Sequence, residues 1–155
     1  MTEDFETRFV ATSDRPALIA CSNPAIIDAA KAACVELGYK AHAVTAHGPF
    51  LTCFSQARYQ VVFIEELFAA SKLEENQSLI TLQKMPVNQR RHATIILFGA
   101  DFATFDPMRA FQKSVHAVIN NSEVALLKEL TEKAVADNDQ FLHNFREVQN
   151  HIARL

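Results

Sequence analysis

Glycine is scarce in this sequence. Only Gly38, Gly48 and Gly99 occur in 155 residues, and no two are clustered. A phosphate-cradling loop or a dinucleotide-binding turn needs clustered glycines so that the backbone can approach the phosphate. Cysteine is equally sparse: Cys21, Cys34 and Cys53 make an odd number with no CxxC spacing. That argues against a disulfide framework and for reduced, buried thiols in a cytoplasmic protein. There is no basic excess, with 15 Lys and Arg against 18 Asp and Glu for a net charge of −3. A chain without a positive field is a poor partner for nucleic acid. No apolar run approaches the ~20 residues that cross a bilayer, and Met1 to Thr12 is acidic and polar without a leader pattern. The six His fall in no metal-ligand spacing with Cys, Asp or Glu. Ser22 is followed by Asn23-Pro24, with no GxSxG elbow for a nucleophile. No catalytic residue, metal or cofactor is therefore expected.

What is present is apolar mass, 49% hydrophobic residues including 12 Phe, enough for one core. Residues 1–14 read as a loose lead-in. Ala17 to Cys21 is a continuous apolar run, the pattern of a strand buried on both faces. Ser22 or Asn23 can cap a helix with Pro24 at its first position, where a missing N–H costs nothing. Helical spacing follows from Ile26 to Leu37, and Gly38 suits a left-handed stop. Further strands are expected at Ala41–Thr45, Val61–Ile64, Ala93–Phe98 and Val115–Ile119. Helices are expected at Phe50–Arg58, Ser78–Lys84 and Pro107–Lys113, and Ser122 is expected to cap a last helix running to Leu155. Strands alternating with helices five times imply a five-stranded parallel doubly wound sheet of flavodoxin-like order, with an extended C-terminal helix. The expected boundaries are a domain at 15–136 and a helical extension at 137–155.

Three segments carry a resemblance. Leu37-Gly38-Tyr39 looks like the end of a receiver's first helix. Val61-Val62-Phe63-Ile64-Glu65 looks like the third strand that ends in a phosphoacceptor Asp, and Ala93 to Ala100 looks like the fourth strand. On these, residues 16–136 resemble the receiver domain of bacterial two-component response regulators. The resemblance implies an acidic pair after the first strand for Mg²⁺, but Cys21, Ser22 and Asn23 stand there. It implies Asp where Glu65 stands, Ser or Thr where Gly99 stands, and Lys where Asn120 stands. Phosphoryl transfer depends on metal and cationic clamping, so the expectation is a pseudo-receiver, a regulatory module that binds protein and does not undergo phosphotransfer. The alternative is a sensor that binds a nucleotide-type small molecule at the carboxyl edge of the sheet, the usual ligand edge in such folds.

Two features keep two readings each. Glu65-Glu66 is a solvated carboxylate pair at a strand end, or Glu65 is a standing mimic of phosphorylated Asp; with no cation among its sequence neighbours, the plainer reading is preferred. The stripe Phe141, Phe145, Val148, Ile152 and Leu155 has the 4-3-4-3 spacing of a coiled-coil seam. Extended backwards it passes Asn138, Ala134, Thr131, Leu127 and Val124, leaving Leu126 and Leu130 to face the sheet. It predicts a homodimer through the last helix, with Asn138 favouring a parallel register, or else a helix end that folds back on its own domain. His42 and His116 are expected at strand edges or facing solvent. Gln89-Arg90-Arg91-His92 reads as a solvated loop.

Overall fold

The computed structural model describes residues 14–154, so the lead-in, apart from Asp14, and Leu155 lie outside the described residues. Five parallel strands form one sheet in the order β2-β1-β3-β4-β5. They are β1 (Pro16–Ala20), β2 (Lys40–Val44), β3 (Val61–Glu65), β4 (Thr94–Gly99) and β5 (Ala117–Asn120). Helices α1 (Pro24–Leu37), α2 (His47–Gln56), α3 (Gln77–Lys84), α4 (Val87–Arg90), α5 (Pro107–Lys113) and α6 (Leu127–Ala153) connect and cover them.

The continuous apolar runs have a simple cause: both faces of the sheet are covered. Leu18, Val62, Ile64, Ile95, Leu97 and Val118 point to one side, packed with Phe50 and Phe54 of α2 and Leu79 and Leu82 of α3. Their strand neighbours Ile19, Val61, Phe63, Ile96, Phe98 and Ile119 point to the other, packed with Ile26 and Ala30 of α1 and Leu127 and Ala134 of α6. Side chains alternate along a strand, so a strand covered twice has no polar positions to show.

Local signals set several boundaries. The Asn23 side chain accepts from Ala25 N–H, Pro24 opens α1, and Gly38 closes it at φ 79°. The last connection differs from the expectation. Asn120, not Ser122, supplies the cap: its Oδ1 accepts from the Ser122 N–H at 2.9 Å, and a 3-10 stretch over Asn121–Leu126 precedes α6. His42 lies on the edge strand β2, as one of the two readings expected, but it does not face solvent: it is buried, with Nδ1 2.8 Å from the Tyr59 hydroxyl. His116, just ahead of β5, is exposed, yet its Nδ1 accepts from the Ile95 N–H at 2.8 Å. Half of the basic stretch, Gln89-Arg90, belongs to α4.

The seam of α6 divides in two. Leu127, Thr131, Ala134 and Asn138 are buried against the domain, while Leu126 is exposed instead of facing the sheet. Asn138 donates from Nδ2 to the Thr94 hydroxyl at 3.1 Å, so it is part of this chain's own core and cannot set a register between chains. Beyond it Phe141, Phe145, Val148 and Ile152 are exposed. The helix continues unbroken past the sheet, and the reading in which it folds back is not what the structure shows.

Candidate functional site

The carboxyl edge of the sheet gathers the residues singled out above. Strand register sets Glu65 beside Phe98 and Gly99 beside Asn120, and the β1–α1 turn brings Ser22 and Asn23 across from β3.

Glu65 is 9% exposed. One carboxylate oxygen, Oε1, accepts from the Ser22 N–H at 2.9 Å and from the Asn23 N–H at 2.8 Å. Its satisfaction comes from two backbone donors just ahead of α1. This corrects the expectation of a solvated pair: the side chain turns inward, and its partners are 42 and 43 residues away in sequence. Ser22 is held in turn, its hydroxyl accepting from the Ala69 N–H at 2.9 Å. The Cys21 thiol lies beneath, and burial, followed by the Glu65 carboxylate charge, pushes its pKa well above the ordinary value. A thiol so held is a small apolar filler, not a nucleophile.

Gly99 is required by its surroundings. A Cβ built there would lie 2.5 Å from Cε2 of Phe102 and 2.6 Å from Oε2 of Glu66. The Phe102 ring is 2% exposed and fills the space beside the end of β4, with the Arg109 guanidinium 5.3 Å from its centre. Asn120 is equally committed. Its Nδ2 donates to the Ala100 and Phe102 carbonyls at 3.2 and 2.8 Å, and its N–H donates to the Thr104 hydroxyl at 3.0 Å. It clamps the loop that carries Phe102 while its Oδ1 starts the next turn. Lysine has donors but no acceptor and cannot do both.

Three residues of this edge were missed from sequence. Phe102 and Thr104 lie in an aperiodic loop that gives no packing signal. Asn76 is wholly buried and donates from Nδ2 to the Glu65 and Glu66 carbonyls at 3.0 Å each, while its Oδ1 caps α3 at the Leu79 N–H. An Asn directly ahead of a helical run was the available sign. Among the described residues, no group of three or more His, Cys, Asp or Glu side chains is placed to hold a metal ion.

No family model matches the chain, and no curated protein is recognisably similar to it in sequence. Its fold does match solved structures. A CheY-like response regulator receiver domain protein from Methanospirillum hungatei JF-1 superimposes with a TM-score of 0.61 at 16% identity, over 83% of this chain and 98% of that one. The fold is the receiver fold. The receiver domain of a sensor histidine kinase from Pseudomonas aeruginosa PAO1, with a magnesium ion coordinated in its active-site cleft, gives 0.60 at 16% identity over 80% and 99%. A response regulator from Thermotoga maritima gives 0.60 at 13% identity over 79% and 98%. The likeness is one of fold. No helix is long and apolar enough to cross a membrane among the described residues.

Proposed function

We propose that this chain is a pseudo-receiver: a non-enzymatic cytoplasmic module that signals by binding another protein and does not accept a phosphoryl group. The observation that carries the reading is the double hydrogen bond from the Ser22 and Asn23 amides to Glu65 Oε1. An acceptor carboxylate must meet an incoming phosphoryl group, whereas this one is buried and turned onto its own backbone.

The surrounding donors agree. Mg²⁺, the ion that phosphoryl chemistry in this fold implies, asks for anionic oxygens. The turn after β1 offers a buried thiol at Cys21, the Ser22 hydroxyl and an Asn23 side chain already capping α1. These residues do not suit the ion. Where a cation would clamp the transferred group, Asn120 holds a loop, and Phe102 fills the space beside Gly99. In this reading Glu65 keeps the edge in one fixed arrangement, and information passes through surfaces instead of through a phosphorylation cycle. A nucleotide-type ligand at the same edge is not favoured: Phe102 fills the space beside Gly99, and Asn120 is committed to the Ala100 and Phe102 carbonyls.

The test is intact mass after incubation with acetyl phosphate and Mg²⁺. The expected result is an unchanged mass, with no thermal shift from Mg²⁺ plus beryllofluoride. A stoichiometric gain of one phosphoryl group that disappears in Glu65→Gln overturns the proposal.

A further inference from the structure

Among the described residues, the second half of α6 presents an exposed apolar stripe. From Asp139 to Ala153 the helix runs ~22 Å beyond Asn138, its last buried residue, with Leu142 half-buried. Phe141, Phe145, Val148 and Ile152 lie on one side, exposed by 65, 38, 58 and 61%. The first two rings already stack at 6.4 Å, and the Arg91 guanidinium sits 5.5 Å from the centre of Phe145. Beside Phe141 opens a groove of about 700 Å³, lined also by Val87 of α4, Phe111 of α5 and Leu142. Val87 and Phe111 are themselves exposed by 61 and 79%.

We infer that this stripe pairs with the same stripe of a second copy of the chain, with the two helices antiparallel. Three observations lead there, and none depends on the chemistry at the carboxyl edge.

The first is the distribution of charge. The positions flanking the stripe are Leu142, Asn144, Gln149 and His151, while Asp139, Arg146, Glu147 and Arg154 lie on the far side of the helix. His143 pairs with Glu147 along that outer face at 3.1 Å. Flanking charges of one sign repel between identical helices, and those of opposite sign select a different chain. The flanking positions of α6 itself carry no carboxylate, Lys or Arg, so this part of the seam can meet itself, while Arg91 of the domain lies over Phe145 and Arg90 and Asp137 line the groove beside Phe141.

The second is volume. Set antiparallel about a twofold axis between Phe145 and Val148, the stripe pairs Phe141 with Ile152 of the other copy and Phe145 with Val148 of the other copy. Every layer then joins one aromatic ring to one β-branched side chain. A parallel pair instead stacks Phe on Phe at one end and Val or Ile on its like at the other, so the layers differ widely in volume. Even layers fill a seam at interior density without a gap or an overlap.

The third observation decides the direction. The paired stripe is the same stripe that, further back, is covered by this chain's own domain at Thr131, Ala134 and Asn138. A straight helix drifts only ~20° per heptad from a seven-residue repeat, so both halves point nearly the same way. Asn138 meets Thr94, the first residue of β4, so the covered half ends at the amino edge of the sheet. A parallel partner laid along the exposed half would have to continue, at the level of Asn138, into space held by β4 and α1. An antiparallel partner brings Ile152 towards that level and carries its own covered half, Thr131 to Asn138, away from it. Its last turn, carrying Ile152, reaches Phe141 and the mouth of the groove where Val87 and Phe111 wait uncovered. The interface is isologous, each helix end seated under the other copy's domain.

Light scattering on the full chain at tens of micromolar gives the mass. The expected value is twice the 17.3 kDa of one chain, and Phe145→Asp is expected to halve it with the melting temperature of the α/β domain retained. A wild-type mass of one chain, or of three or more, overturns the inference. Direction is read by mild oxidation of cysteine variants, since Cys21, Cys34 and Cys53 are buried and do not compete. A mixture of Phe141→Cys and Ile152→Cys chains is expected to form a covalent dimer, and Phe141→Cys alone is not. A covalent dimer from Phe141→Cys alone, or no mixed crosslink in a protein of dimer mass, overturns the antiparallel arrangement.

Discussion

Removing the Glu65 carboxylate tests the contact on which the functional reading rests. Glu65→Ala leaves the Ser22 and Asn23 N–H groups without their acceptor. Hydrogen bonds to a charged group contribute ~1.5–3 kcal/mol each, so two set a ceiling near ~3–6 kcal/mol. The ceiling is not reached, because Ser22 and Asn23 are exposed and water can replace the lost acceptor. A loss of ~1–3 kcal/mol is the expected cost, or roughly 2–12 °C in Tm for a chain of this size. Glu65→Gln keeps an oxygen in place and loses only the charge assistance, so it should cost under ~1 kcal/mol. Denaturant unfolding measures both, and the slope against denaturant should match the wild type, since the folded core is unchanged. If Glu65→Ala unfolds within ~0.5 kcal/mol of the wild type, the inward carboxylate holds nothing together. If Gln is as costly as Ala, charge and not the bridging oxygen supports the turn. Either outcome refutes the argument from these two bonds.

Gly99→Ser, which places at that position the residue type the receiver resemblance implies, should destabilise by ~1–3 kcal/mol through overpacking against Phe102. The second change Phe102→Ala should recover part of it, and a Gly99→Ser variant as stable as the wild type would show that the ring yields freely. His116 makes a prediction about pH. The residue as a whole is exposed, but its Nδ1 is turned onto β4, and desolvation there, then the charge of Arg90, lower its pKa to about 4 from an ordinary 6.5; protonation at Nδ1 would break its bond from the Ile95 N–H. The unfolded chain therefore takes up this proton first as pH falls, so the contribution is present above pH 6.5 and lost between there and about 4. His116→Gln should flatten the decline of unfolding free energy over that interval, and an unchanged slope would contradict the assignment.

The sequence by itself determined the doubly wound sheet. Covering a parallel sheet on both faces demands continuous apolar strands, and Val61–Ile64 and Ala93–Phe98 show that pattern without any knowledge of their neighbours. Asn23 and Gly38 were equally legible, because a cap is a contact between residues a few positions apart. The coiled-coil spacing of α6 was visible too, but periodicity records which side of a helix is apolar and not what covers it. Only the tertiary structure assigned Thr131 and Asn138 to the chain's own domain and left Phe141 to Ile152 outside. The same limit hid the site. Glu65 reads as a solvated strand end until β1 and β3 are paired, because its two donors lie more than forty residues away. Gly99 reads as a missing hydroxyl until the aperiodic loop after it brings the Phe102 ring into the space. Contacts between distant segments leave no period in a single sequence, and at this carboxyl edge such contacts decide which groups are committed to the chain's own backbone.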